Sequence, residues 1–400
     1  MHARAARIIL PISSQLYESE MKTIIAVAIA HLILLVAGSD VPGEHKRVTC
    51  YYMGVTIGTY STLYPEDLDA SICTHLVYLH GAINEETEEI SLKSITPELK
   101  TGGEGFIPRL AKLKEVNPDL KLILHVADPD YNWISQKSSR KSQIIQSGIK
   151  WLNESGFDGL DMPMYWSPAE KEGVADLFCE IKSEFDKHGY ILTAIFMENS
   201  FPEPPEANVD IVSKMARCCD HVALRATTTS YVTHRLAPLS LMKSNVNKYM
   251  ERGLPANKTL IIVPAVGIIF TLEDPRDTGL GANVSGPGFN TSDDDSGPLI
   301  RYKELQRIMN DSSLGWTIRR DNETMEPYAF STTGLWTSYE DGISMEFKAR
   351  YVMERGLAGI AINLLETEDT GNTGEEGRFP LTRAIHNTFS RGLQSADTTP

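Results

Sequence analysis

Side chains able to do acid–base, nucleophilic or metal chemistry are sparse in this chain and irregularly spaced. His80 and His125 are of a type that binds metals. No His-x-x-x-His pair and no third ligand accompanies them, so both read as hydrogen-bonded core histidines, and no metal site is expected. There is no Gly-x-Ser-x-Gly elbow and no Cys-x-x-Cys pair. Gly279-Leu280-Gly281 lacks the third glycine of a phosphate-binding turn, so no cofactor is implied. Asp293-Asp294-Asp295 lacks the ligand spacing of a calcium loop and reads as a solvated turn. What remains is carboxylates. Asp161 lies in a strand-like run, while Asp128, Asp130 and Glu198 fall near strand ends. Brought together, Asp128 and Glu198 could serve as a general acid and base; apart, they are ordinary loop carboxylates.

The elements that must position these groups alternate between short apolar runs and amphipathic helices. Strands are predicted at Arg47–Tyr52, His75–Leu79, Leu120–Val126, Gly159–Met162, Ile191–Phe196, His221–Leu224, Leu260–Pro264 and Ala358–Leu364. Their Val, Ile and Leu often occupy consecutive positions, as in strands buried on both faces. Helical patterns separate them, among them Arg140–Glu154, Pro168–Lys187, Asn208–Cys218, Met242–Arg252 and Gly342–Arg355. Eight such units predict an α/β fold, a (β/α)8 TIM barrel. Residues 271–330 break the alternation with a Gly-, Pro- and Asp-rich stretch and read as a small α+β insertion domain between strand 7 and helix 7. That leaves 40–270 and 331–390 as the two parts of the barrel and 391–400 as a tail.

The 400 residues carry 53 acidic and 38 basic side chains, a net charge of −15, which disfavours nucleic acid and anionic membranes as partners. Met21-Lys22 opens an apolar stretch that runs to Ala37 and ends in Gly38-Ser39. The stretch is short for a membrane span, so 21–39 reads as a secretory signal peptide, leaving no span after cleavage. Residues 1–20 then stand as an upstream extension, with Met21 as the natural start. Secretion gives meaning to the Asn-x-Ser/Thr sequons at Asn153, Asn257, Asn283, Asn290, Asn310 and Asn322, read as glycosylation sites. It also allows Cys50 to pair with Cys73. Cys179, Cys218 and Cys219 leave one thiol over, and the sequence leaves open whether Cys179 pairs with Cys218 or Cys219.

From about Val48 to Phe389 the chain resembles the family 18 glycoside hydrolases, the chitinases and chitinase-like lectins. The resemblance is carried by Cys50-Tyr51-Tyr52, by Asp67-Leu68-Asp69 with Cys73–Tyr78, and by Phe157-Asp158-Gly159-Leu160-Asp161. Further pieces are Leu260–Leu272, Gly286-Pro287-Gly288, Pro327-Tyr328-Ala329 and Trp336–Asp341, all in the family's order. It implies the barrel already read from periodicity, and a Cys50–Cys73 bridge. It also implies a substrate-assisted hydrolysis, in which a Glu at the end of the fourth strand protonates the glycosidic oxygen and an Asp two residues earlier stabilises the cyclic intermediate.

Those residues are absent. Alternate strand positions face the barrel mouth, here Asp161, Pro163 and Tyr165, so the family's Asp is Pro163 and its acid Glu is Tyr165. A phenol with a pKa near ~10 is a poor acid at neutral pH, and losing a general acid costs ~10²–10⁴-fold in rate. On the sixth strand Arg225-Ala226-Thr227-Thr228 removes the family's Tyr and Asp. On the eighth, Asn363 replaces the Trp that floors the sugar site. On the third, Ala127-Asp128-Pro129 replaces Gly-Gly-Trp. The degenerate set is therefore Asp158, Asp161, Pro163, Tyr165, Arg225, Thr227 and Asn363. The family's second disulfide is missing too, with Leu305 at one of its ends.

The inward-facing positions then hold His80, His125, Asp161, Tyr165, Arg225 and Asn363. A buried arginine needs a partner, so Arg225 is expected to pair with Asp161, with His125 nearby. Trp133, Tyr131, Trp166, Tyr165 and Asp128 are the candidate ligand-binding residues, offering a shifted aromatic platform. The sequence thus points to a secreted, monomeric, non-catalytic chitinase-like glycoprotein that binds a chitin-type oligosaccharide or a protein receptor. Its alternatives are a hydrolase with a relocated acid at Asp128, Glu198 or Glu366, and a secreted structural protein with no specific ligand.

Overall fold

A computed structural model of the chain describes residues 46–54, 63–92, 105–127, 130–135, 137–164, 171–196, 209–227, 232–288, 297–322, 324–371 and 377–392. The signal-peptide reading over 21–39 and the extension ahead of it lie outside these residues. All eight predicted barrel strands are present. In chain order they are β1 (Arg47–Tyr52), β2 (His75–Asn84), which carries a hairpin partner β3 (Glu89–Leu92), β4 (Lys121–Val126), β5 (Gly159–Met164), β6 (Ile191–Phe196), β7 (His221–Arg225) and β8 (Thr259–Pro264). The last barrel strand, β15 (Gly359–Asn363), follows six strands of a second sheet. The barrel strands pair in parallel in the order β1, β15, β8, β7, β6, β5, β4, β2, and the β1–β2 pairing closes the ring. The chain folds as a closed (β/α)8 barrel.

The strands are apolar on consecutive residues because each has two buried faces. Cys50, Tyr52, Leu76, Leu122, Leu124, Leu160, Leu192, Val222, Ile261 and Ile360 face the outer helices. Tyr51, Val77, Ile123, Ile195, Ala223, Leu260, Ile262 and Ala361 fill the interior. Side chains just ahead of certain strands fix the lower register. Asp158 accepts from the Leu122 amide at 2.7 Å, Asp220 from the Leu192 amide at 2.8 Å, and Thr74 from the Val48 amide at 3.0 Å. Gly159 and Gly359 occupy interior positions where a Cβ would lie 2.2 Å from the Ile191 carbonyl oxygen and 2.1 Å from that of Arg47. Neighbouring backbone leaves room for glycine alone.

The insertion is wider than the 271–330 read from composition. Its antiparallel sheet begins at β9 (Val266–Leu272), two residues after β8 ends. It continues through β10 (Val284–Pro287), β11 (Leu299–Arg301), β12 (Thr317–Arg320), β13 (Pro327–Phe330) and β14 (Leu335–Ser338). The apolar run Leu260–Leu272 reads as one strand, but the chain leaves the barrel at Pro264. Leu305, in place of a cysteine, is fully buried in the insertion's own core.

Two disulfides form. Cys50–Cys73 has a Cα separation of 6.0 Å and Cys179–Cys218 one of 4.8 Å. This settles the open pairing. Cys218 ends the helix Val209–Cys218, which packs on the helix Lys171–Phe185 holding Cys179, whereas Cys219 is a buried free thiol in the outer core.

A buried ionic knot holds the insertion to a barrel helix. Lys348, fully buried in the helix Gly342–Glu354, reaches Glu326 at 3.0 Å and also bonds Glu340. Glu326 accepts from the Leu239 amide at 2.7 Å and the Thr324 hydroxyl at 3.1 Å. Removing one partner of such a cluster leaves buried charge behind. Lys348→Met is expected to lower the unfolding free energy by about 3–5 kcal/mol, and adding Glu326→Gln and Glu340→Gln to recover part of it. Denaturant unfolding checks this, and a loss below about 1 kcal/mol for Lys348→Met would contradict the role of the knot.

Candidate functional site

The barrel interior carries one described carboxylate at its centre, Asp161, only 1% exposed. In the strand register His125 of β4 and Thr193 of β6 lie directly beside it. Its Oδ1 accepts from the Thr193 hydroxyl at 2.6 Å. Its Oδ2 accepts from His125 Nδ1 at 2.7 Å and from the Tyr51 hydroxyl at 3.3 Å. Burial, reinforced by the Asp161 charge, pushes the Tyr51 phenol well above its ordinary range, so it remains a donor. Three donors from three strands therefore satisfy the carboxylate, and the remaining central cavity is about 20 Å³.

This corrects the expected Arg225–Asp161 pair. Arg225 is four residues beyond His221 on β7, and His221 is the residue level with Thr193. Four residues are roughly 13 Å of strand, so Arg225 stands well above Asp161. It is half-buried on the upper rim beside Ile262, and its guanidinium takes no carboxylate partner among the described residues. His125 does bond Asp161, as a neighbour rather than a bystander. His80 is half-buried near the end of the paired part of β2. Leu79 packs with the interior cluster, and the pairing of β2 with β4 shifts register between Leu79 and Gly81, at His80.

The remaining degenerate positions separate by height. Asp158 sits at the foot of β5, where it bonds the Leu122 amide and Lys114, so it serves strand register and not the mouth. Pro163 is buried one step above Asp161, and its carbonyl accepts from the Tyr131 hydroxyl at 2.7 Å. Asn363 ends β15 half-buried beside Pro264, and Thr227 lies half-buried just beyond β7. Tyr165, Trp166, Asp128, Glu198 and Asn290 fall outside the described residues. Of the aromatic platform, Tyr131 is buried at 6% exposure and spends its hydroxyl inward, so it presents no face to a sugar. Trp133 is half-buried with the Arg140 guanidinium 3.9 Å from its ring centroid. Both pack under their helix because their apolar area is worth more there than in water.

Sequence reasoning missed Tyr51, Thr193, His75 and His221. Their signal was the inward alternation Thr49/Tyr51, His75/Val77, Asp161/Pro163 and His221/Ala223, which places them with Asp161. The His75 and His221 rings meet edge-on at 6.0 Å. Burial, with the nearby Arg47 charge, depresses His75 to about 3 and His221 to about 2. Glu366, on the turn after β15, accepts from the Met53 amide at 3.0 Å while its Oε2 is buried without a bond. Burial raises it to about 7.

The sequence model described as Glycosyl hydrolases family 18 matches residues 47–367. The chain belongs to this family. This family 18 chain is 25% identical over 374 residues to Probable chitinase 10 of Drosophila melanogaster, covering 85% of its own length and 16% of that protein. Among solved structures it resembles the Group IV chitinase of Ostrinia furnacalis in complex with allosamidin. There the TM-score is 0.76 and the identity 26%, over 87% of this chain and 100% of that one. It shares its fold with human YKL-39, a pseudo-chitinase with retained chitooligosaccharide binding, at a TM-score of 0.73 and 23% identity over 86% and 100% of the two chains.

The histidine pair gives this family 18 chain a pH signature. Below pH 6.5 the unfolded chain takes up protons that the buried rings refuse, so stability falls as pH drops through that window, by ~1.4 kcal/mol per pH unit per histidine. Glu366 and Glu368, both raised to about 7 by burial, act oppositely, losing stability as pH rises from about 4.5 to 7. Comparing the chain with His221→Asn cancels the carboxylates. The variant is expected to gain on the wild type by ~1.4 kcal/mol per unit below pH 6 in denaturant unfolding. A constant difference between pH 7 and 4 would contradict the neutral buried pair.

Proposed function

We propose that this chain is a secreted, non-hydrolysing chitinase-like glycoprotein that acts by binding a glycan of the chitin type or a protein partner. The observation that carries the reading is Asp161. Its oxygens are taken by Thr193, His125 and Tyr51, and the next inward position above it is Pro163, which has no acid to offer. Family 18 hydrolysis as the resemblance implies it needs two carboxyl groups there. The human pseudo-chitinase of the same fold illustrates that the barrel can bind chitooligosaccharides without cleaving them. The glycoprotein reading is supported by the exposure of Asn153, Asn257, Asn283, Asn310 and Asn322.

A second reading has its own observation. Glu366 is a buried carboxyl held near neutral pH with one oxygen unbonded, as a displaced general acid would be. Two measurements on the secreted chain separate the readings. Release of fluorophore from a 4-methylumbelliferyl chitotrioside is expected to match the buffer rate, and Glu366→Gln, Glu198→Gln and Asp128→Asn to change nothing. Turnover abolished by any of the three would establish a hydrolase with a relocated acid. Calorimetry with chitin tetramer is expected to give a saturable heat. No heat at millimolar sugar would exclude the chitin-type glycan and leave the protein partner.

A further inference from the structure

Outside the barrel lies a cavity of about 500 Å³, within the size range of small-molecule sites. It is formed where the 3-10 turn Pro65–Asp67, the helices Phe106–Ala111 and Leu113–Val116, and the start of the helix Pro380–Arg391 meet. Its charge runs against that of the whole chain. Four lining side chains are basic, Arg109, Lys112, Arg378 and Arg383, against two acids, Glu66 and Asp69, in a protein with 53 acidic and 38 basic residues. The rest of the lining is apolar. Leu113 and Phe379 belong to the outer core, while Val116 on the rim is 76% exposed.

The arginines are held in place before any ligand arrives. Arg109 grips Glu66 through Nε and Nη2 and lies 5.3 Å from the Phe106 ring centroid. Arg378 spends Nε on the Thr370 carbonyl and Nη2 on the Asp67 carbonyl, with its guanidinium 5.4 Å from the Phe379 centroid. Arg383 spends Nε on the Arg378 carbonyl at 2.8 Å and Nη2 on Asp69 at 2.6 Å. A guanidinium has five N–H donors, and in both Arg378 and Arg383 the Nη1 pair has no acceptor among the described residues. Two fixed guanidiniums with unspent donors, next to an apolar wall, match a tetrahedral oxyanion on a molecule with an apolar or ring portion. Ordering costs are low because the side chains are already anchored.

We infer that this cavity is a binding site for a small organic sulfate or phosphate monoester, its oxyanion held by Arg378 and Arg383 and its apolar part lying against Leu68 and Val116. The site is separate from the barrel mouth, and its existence does not depend on what the mouth binds.

Calorimetry on the full secreted chain tests it with 4-nitrophenyl sulfate, 4-nitrophenyl phosphate and neutral 4-nitrobenzyl alcohol. At least one anion is expected to bind at least tenfold more tightly than the alcohol and to weaken as salt rises; which anion binds better identifies the ester. Arg383→Gln is expected to raise that Kd at least tenfold. Val116→Glu, on an exposed side chain that disturbs no packing, is expected to raise it severalfold by repulsion without moving the melting temperature. Chitin tetramer in excess is expected not to displace the anion. Equal affinity for anion and alcohol, a Kd unmoved by both substitutions, or displacement by chitin tetramer would overturn the assignment.

Discussion

A carboxylate buried at the centre of a closed barrel must be hydrogen-bonded or neutralised, because an unsatisfied charge there costs several kcal/mol. Asp161 meets that demand with donors from β1, β4 and β6, strands that have only their packing otherwise in common across the interior. The same bonds have two consequences. They draw three sectors of the ring together, and they occupy both oxygens of the acid. A charge bonded in this way serves the cohesion of the barrel.

The upper rim is built from other residues at the strand ends. Pro163 stands above Asp161, Asn363 at the end of β15 and Arg225 at the end of β7, and none of these three positions carries an acid. None of these changes touches what builds the fold. The register devices at the strand feet, Asp158, Asp220 and Thr74, lie at the opposite end, and the outer core packs against faces that never see the mouth. Barrels keep stability and function at opposite ends of their strands, so one can be lost with the other intact.

Much of this was legible in the residues. The eight strands were readable because burial on both faces writes Val, Ile and Leu at consecutive positions; Asp161 and Pro163 were placed by strand alternation within the stretch that resembles the family's fourth strand, and Asn363 by the resemblance itself. The failures have physical causes. Charge complementarity suggested Arg225 for Asp161, but hydrogen-bond partners in a parallel sheet are set by register, and His125 and Thr193 are the lateral neighbours. The start of the insertion was hidden because β8 and β9 form one apolar run whose break is a change of sheet rather than of composition. Tyr131 and Trp133 looked available from their place near a strand end, while their helix tucks them against the core. The charged cavity on the outer layer was invisible because its arginines come from segments more than 250 residues apart, and only folding brings them together.

The account rests on Asp161 acting as an internal tie, so its truncation is the most direct test. Asp161→Ala strands the hydroxyls of Tyr51 and Thr193 and the ring N–H of His125, at about 1–3 kcal/mol for each buried donor left unmade. Denaturant unfolding is expected to show a loss of at least about 3 kcal/mol, with chito-oligosaccharide turnover at the buffer rate in both proteins. A variant as stable as the wild type, or one that abolishes a measurable wild-type turnover, would contradict it.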